Sequence, residues 1–219
     1  MRVLSRVFVG ILVTTLFVAA CASHNTTPST QGDPSTPPAT PLPSVGDYPP
    51  GPFGFTVGDV FPRAIVNGYK NGGGGWTTLS TQDYFDPDGA RGINGVYFTV
   101  SAPWCSGCKV EGQSLPLLWT SQYKARGGRI LTVLLQDAAY EPASQGTVDA
   151  WVTTYATPYD IAAGDPATWL PPKASGAISL PYNYAIDPRT MRIIAIDSGD
   201  YFRGDSLPGL DQVLAANKK

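Results

Sequence analysis

Histidine is almost missing from this chain of 219 residues. There is one, His24, and there are three cysteines, Cys21, Cys105 and Cys108. Past residue 52 only Cys105 and Cys108 remain, too few for tetrahedral zinc, which takes four ligands drawn mostly from Cys and His. The same scarcity removes Ser–His and Cys–His nucleophilic catalysis and histidine-based copper sites. Positive charge is also sparse: 15 Lys and Arg stand against 17 Asp and Glu, for a net charge of −2, with no basic cluster. Nucleic acid is therefore excluded as a partner, because phosphate binding needs concentrated Lys or Arg. The glycine run "NGGGGWTTLS" (71–80) does not follow a strand and open a helix, so it is no phosphate cradle. Asp86-Pro87-Asp88-Gly89 lacks the alternating oxygens and distal glutamate of a calcium loop and reads as a plain turn. What is present, 42% hydrophobic and 15% charged residues, describes a globular body with ample material for a core.

The N-terminus has a different character. Arg2 and Arg6 precede "VFVGILVTTLFVAA" (7–20), an uncharged run of fourteen residues. That length suits a secretory signal and falls short of the roughly 20 residues of a membrane span. The run ends in Val18-Ala19-Ala20-Cys21, which resembles the bacterial lipobox with Val in place of the usual Leu. The resemblance implies cleavage after Ala20, acylation of Cys21 and attachment to a membrane by that lipid. Ala22 stands where aspartate would retain a lipoprotein at the inner membrane, which points to the periplasmic face of the outer membrane in a cell that has one. From Ala22 to Pro52, nine of 31 residues are proline and most of the rest are small or polar. Such a segment cannot bury a core and reads as a PPII-biased tether reaching up to roughly 90 Å at ~3.1 Å per residue. The expected organisation is a signal peptide (1–20), a lipidated tether (21–52) and one folded domain (53–219).

Within the domain, "FGFTVGDVFPRAIVNG" predicts a short strand, a turn and a second strand, and residues 71–80 predict a loose hairpin into a third. "GVYFTVS" (95–101) and "RILTVLLQD" (129–137) are β-branched, apolar runs expected as buried strands. Helical spacing marks 109–125 and 147–156, with Gly112 and Pro116 expected to loosen or kink the first. A Pro- and Gly-rich loop (158–181) precedes strands at 182–187 and 191–197, joined by a "PRT" turn, and a C-terminal helix at 206–219. The order β-α-β-α-β-β-α predicts an α/β fold: a mixed central sheet with helices on both faces and extra N-terminal strands.

The cysteines sit in "TVSAPWCSGCKVE" (99–111), where a strand hands over directly to a helix. A structural disulfide across so small a loop contributes only about 2 kcal/mol, against about 3 for a fifteen-residue loop. A redox pair explains more. Cys105 falls near the helix N-cap, where unpaired N–H groups and the helix dipole stabilise a thiolate. Cys108, three residues on, lies on the same helix face within bridging reach. In this reading Cys105 attacks, Cys108 is the buried resolving thiol, and Trp104 shields one side of the bond.

Two motifs here resemble the thioredoxin-like disulfide oxidoreductases, in particular the TlpA/ResA branch of the redoxins. "WCSGCKVE" (104–111) matches W-C-x-x-C-K-x-E, with Glu111 at the glutamate, and "LPYNYAID" (180–187) matches the family's cis-proline segment, with Pro181 the proline and Leu180 before it. The resemblance covers about residues 53–219 and implies a thioredoxin-like fold with no cofactor and no metal. It further implies a loop at Leu180-Pro181 that pairs with an extended substrate chain, and reduction of disulfide- or thiol-bearing extracytoplasmic proteins with electrons from a transmembrane thiol donor. Thr99 stands where thioredoxin carries a buried aspartate, which leaves Glu111 as the candidate proton acceptor for Cys108. Ala102 stands where peroxiredoxins place a threonine, which disfavours peroxidase chemistry. Pro116 lies further from the cysteines than the family's helix-kinking proline. The rival from another class is a binding lipoprotein that keeps the fold and uses the cysteine pair only structurally.

Overall fold

A computed structural model describes residues 48–172, 178–198 and 205–218, all within the unit Ser44–Lys219. The signal run, Cys21, His24 and most of the tether lie outside the described residues.

Seven strands form one mixed sheet. They are β1 (Ile65–Lys70), β2 (Gly73–Ser80), β3 (Gly95–Ser101), β4 (Gly128–Leu134), β5 (Asp160–Ala163), β6 (Tyr182–Asp187) and β7 (Arg192–Ser198), in the order β2-β1-β5-β4-β3-β6-β7. β3, β4 and β5 run parallel at the centre, and the remaining pairings are antiparallel. Among the described residues four α-helices accompany them: α1 (Ser106–Leu118), α2 (Gln145–Tyr155), α3 (Pro166–Trp169) and α4 (Pro208–Ala216).

The expected hairpin at 71–80 is β1–β2. Its turn is Asn71-Gly72, both at positive φ, the backbone that a two-residue hairpin linked to right-twisted strands requires. Gly72 is held to glycine twice over, since a Cβ there would also run into the Thr157 carbonyl. β5 falls inside the segment expected as loop. Its four residues, Asp-Ile-Ala-Ala, carry one β-branched side chain, and pairing on both sides with β1 and β4 makes them a strand.

β3 is buried along its whole length, and its alternating side chains divide the core in two. Val96, Phe98 and Val100 join an aromatic layer in which Phe61 packs 5.1 Å from Phe98 and 5.0 Å from Tyr184, centroid to centroid, and Phe98 lies 5.6 Å from Trp169. This side is closed by the segment from Tyr48 to Ala64, the 3-10 turn Thr81–Tyr84 and α3. Packing begins by Tyr48, whose hydroxyl donates to the Phe61 carbonyl at 2.8 Å. Tyr97 points the other way, into a cluster with Leu115, Leu118, Leu210 and Val213, so α1 and α4 cover that face. α2 lies over it too, with Trp151 and Val148 against Leu134 and Ile161.

α1 keeps regular geometry through Gly112 and Pro116, then widens into a π turn at Trp119–Tyr123 and a 3-10 turn at Lys124–Arg126. The irregularity begins past Pro116, where the Trp119 N–H is shared between the Leu115 and Pro116 carbonyls. Gly112 is a packing glycine: a Cβ there would stand 2.8 Å from Cζ2 of Trp151, so its absence lets α2 approach α1. The Asp86 turn is structural. Its buried carboxylate accepts from the backbone N–H of Arg91 and Ile93 and pairs with Arg189 at 3.3 Å.

Candidate active site

β3 ends at Ser101, and a tight turn brings Cys105 to the N-cap of α1, with its N–H donating to the Ala102 carbonyl at 3.1 Å. Its Sγ accepts from the Cys108 N–H at 3.0 Å, so a helix-end donor is aimed at the sulfur that would carry thiolate charge. Cys105 and Cys108 are joined in a disulfide, with Cα atoms 5.2 Å apart. Cys105 is 6% exposed and Cys108 0%, so an incoming group reaches Cys105 first.

The pair is walled by Leu134, Val148, Trp151 and Ile161, with Leu180 packed against the same cluster. The Leu180–Pro181 bond is cis, and this loop therefore lies beside the sulfurs at the head of β6. Trp104, 36% exposed, stacks on Tyr140 with centroids 5.2 Å apart and donates from Nε1 to Gln136 Oε1 at 3.2 Å. Gln136 in turn donates to the Tyr140 carbonyl at 2.7 Å, which fixes the aromatic ledge to the loop after β4. A groove of about 510 Å³ lies beside it, between Pro103, Lys109, Asp137, Trp151 and Tyr155.

Glu111, one helical turn past Cys108, is 1% exposed. Thr99 Oγ1 donates to its Oε2 at 2.7 Å and Asn183 Nδ2 donates to its Oε1 at 2.8 Å. Thr99 also meets Ser101 Oγ at 3.3 Å. Burial pushes the Glu111 carboxyl up to about 7; the two hydrogen bonds pull it down, and the nearby charge of Asp197 adds to the rise. A carboxyl raised to that range can accept and return a proton near neutral pH. Thr99, at the position of thioredoxin's aspartate, thus serves as a donor to a carboxylate supplied from the helix.

The structure brings together Trp104, Cys105, Cys108, Glu111, Leu180 and Pro181. Sequence reading missed Asn183, Gln136 and Tyr140. Asn183 left one signal, a polar residue between two tyrosines at an inward position of its strand. Gln136 and Tyr140 left none, because the ledge depends on where the loop folds.

The central mixed sheet, the helix that starts at a Cys-x-x-Cys pair and the adjoining cis-proline loop together define a thioredoxin-like fold. Solved structures share it. A protein of Chlorobium tepidum assigned as a thiol:disulfide interchange protein, DsbE, matches over 74% of this chain and 97% of its own, with TM-score 0.52 and 20% identity. A secreted thiol-disulfide isomerase from Corynebacterium glutamicum matches over 70% and 84%, with TM-score 0.52 and 17% identity. AhpC of Enterococcus faecalis matches over 73% and 90%, with TM-score 0.50 and 16% identity. At these identities the likeness is one of fold. No protein-family model matches the chain, and no curated protein matches its sequence.

Proposed function

We propose that the chain is a thiol–disulfide oxidoreductase of TlpA/ResA type, tethered outside the cytoplasm through lipid on Cys21, that reduces disulfides in other proteins. The observation that carries this reading is the Cys105–Cys108 disulfide at a helix N-cap, with Cys108 buried one turn from Glu111. In the reduced protein the Cys105 thiolate attacks a substrate disulfide. One substrate sulfur joins Cys105, and the other leaves as a thiolate and takes a proton from water. Cys108 then gives its proton to the Glu111 carboxylate and attacks the Cys105 sulfur. The second substrate thiol is released and the Cys105–Cys108 bond closes, so two electrons have passed to the substrate. A membrane thiol donor reopens the disulfide. The Leu180-Pro181 loop holds the substrate chain, and the Trp104–Tyr140 ledge borders its path.

The test is reduction of insulin driven by dithiothreitol. The protein should raise the rate at least about tenfold over dithiothreitol alone, and Cys105→Ser should return it to background. A rate no higher than background for the native protein would favour a binding lipoprotein with a structural disulfide.

A further inference from the structure

We propose that Asn183 is the positioning residue of the proton step: its amide keeps Glu111 an acceptor and leaves Oε2, at Thr99, to take the Cys108 proton. The inference rests on the reading of Cys105–Cys108 as a redox pair and adds residues that reading does not use.

Glu111 reaches from α1 onto two neighbouring strands. Thr99 of β3 and Asn183 of β6 stand in register, so both side chains leave the sheet on the face that α1 covers. Thr99 is buried and Asn183 is 4% exposed. Their donors divide the carboxyl between them: Asn183 Nδ2 gives to Oε1 at 2.8 Å and Thr99 Oγ1 gives to Oε2 at 2.7 Å. Tyr97, two residues before Thr99 and on the same face, sets its hydroxyl against the Asn183 amide. Asn183 also lies two residues past Pro181, so the strand that starts at the cis-proline loop carries this donor.

The two partners differ in what they tolerate. An amide N–H only donates, so a proton on Oε1 would set hydrogen against hydrogen. A hydroxyl donates or accepts, so Thr99 meets Oε2 in either state. When Oε2 is protonated it gives to Thr99 Oγ1, whose own hydrogen turns to Ser101 Oγ, 3.3 Å away. Asn183 therefore favours the ionised carboxylate, and the incoming proton goes to Oε2. In this step the Cys108 thiol loses its proton to Oε2 and no electrons move. The Cys108 thiolate then attacks the Cys105 sulfur. Glu111 returns the proton to the Cys108 thiolate when the membrane donor reopens the disulfide.

Burial raises Glu111 against the pull of both donors, so loss of Asn183 would let it rise further. Asp197 of β7 is half-buried and itself raised, and its charge adds to the rise of Glu111. Tyr97 of β3 and Tyr159 ahead of β5 are raised by burial and stay neutral through this range. Tyr123, beside Tyr97, is pushed up to about 12. Asp211 of α4 is engaged by Arg126 and Tyr123. Tyr155 of α2 packs on Trp151 and is likewise raised. Cys108, on Glu111's own helix, is held in the disulfide.

Carbon-13 NMR of labelled Glu side chains in the full-length oxidised protein reads the Glu111 midpoint. A hydrogen bond to an ionised group is worth about one pH unit or more, and Asn183→Leu should raise the midpoint by that amount. Asn183→Ala takes the same reading if the larger side chain does not fold. Thr99→Val removes a partner from both protonation states and should move the midpoint less. The consequence for the reaction is read in reduced protein mixed with the disulfide of nitrothiobenzoate. The first thiobenzoate leaves as Cys105 attacks, and the second leaves as Cys108 closes the bond. In Asn183→Leu only about a tenth of Glu111 would be ionised at pH 7, so the second release should slow about fivefold there and recover as pH rises. A Glu111 midpoint unmoved or lowered in the Asn183 variants, or moved further by Thr99→Val, would overturn the inference. So would a second release slowed equally at every pH, the mark of a merely structural loss. Insulin reduction by the native protein separates the two readings. Reduction without the midpoint shift removes the role of Asn183 alone, and the shift without reduction removes the redox assignment alone.

Discussion

Cys108→Ala should turn the protein into a covalent trap. With Cys108 gone, Cys105 still attacks a disulfide, but nothing inside the protein resolves the product. Mixed disulfides should therefore accumulate, visible as bands of higher mass on non-reducing gels of cell-envelope extract that collapse on adding dithiothreitol. Cys105→Ser should give none, since Cys108 is 0% exposed and cannot meet a protein substrate directly. The asymmetry is what matters. A structural disulfide has no reason to make one cysteine a nucleophile and the other its resolver, so traps from both variants or from neither would remove the assigned roles.

The second large effect concerns Glu111 and runs through pH. Its carboxyl titrates at about 7 in the folded protein, against an ordinary value of 4.5. Between those values the folded state holds a proton that the unfolded state has released, so stability falls as pH rises. The stabilising contribution is complete below about 4.5 and is lost as pH passes about 7, for a total on the order of 3 kcal/mol. Asp197, shifted in the same direction, adds to the slope. Glu111→Gln removes the charge and fits the site: its Oε1 accepts from Asn183, and the Thr99 hydroxyl turns to accept from its Nε2. Urea melts of the oxidised protein should show Glu111→Gln more stable than the native chain at pH 8, with the two converging near pH 5. The variant should also resolve mixed disulfides more slowly near neutral pH. Parallel stability curves across that range would mean that folding does not shift the Glu111 carboxyl between pH 5 and 8, which would contradict its assignment as a proton acceptor poised near neutrality.

Much of this site could be read from the residues themselves. Strand-forming "GVYFTVS" followed at once by a helix-spaced segment places Cys105 at a helix start, and the structure has it at the N-cap. The cis bond before Pro181 was implied by the match of "LPYNYAID" to a family segment, since no local property of Leu-Pro requires it. Two failures have physical causes. β5 carries a weak strand signal because its stability comes from neighbours on both sides, which are distant in sequence. Asn183 went unassigned because a single asparagine in a strand says nothing about what faces it; only the pairing of β6 with β3 sets it beside Thr99 and brings its amide to Glu111. Gly112 was read as a loosening of α1, whereas it is the point at which Trp151 closes on the helix.

The reduction potential of the Cys105–Cys108 pair, measured by equilibration against defined thiol–disulfide buffers, tests the central claim most directly. A protein reductase should fall between about −200 and −270 mV, within reach of a thiol donor and able to pass electrons on. A value near −120 mV would make the protein an oxidant, and one below about −300 mV would make the pair a structural staple. Either would contradict the account.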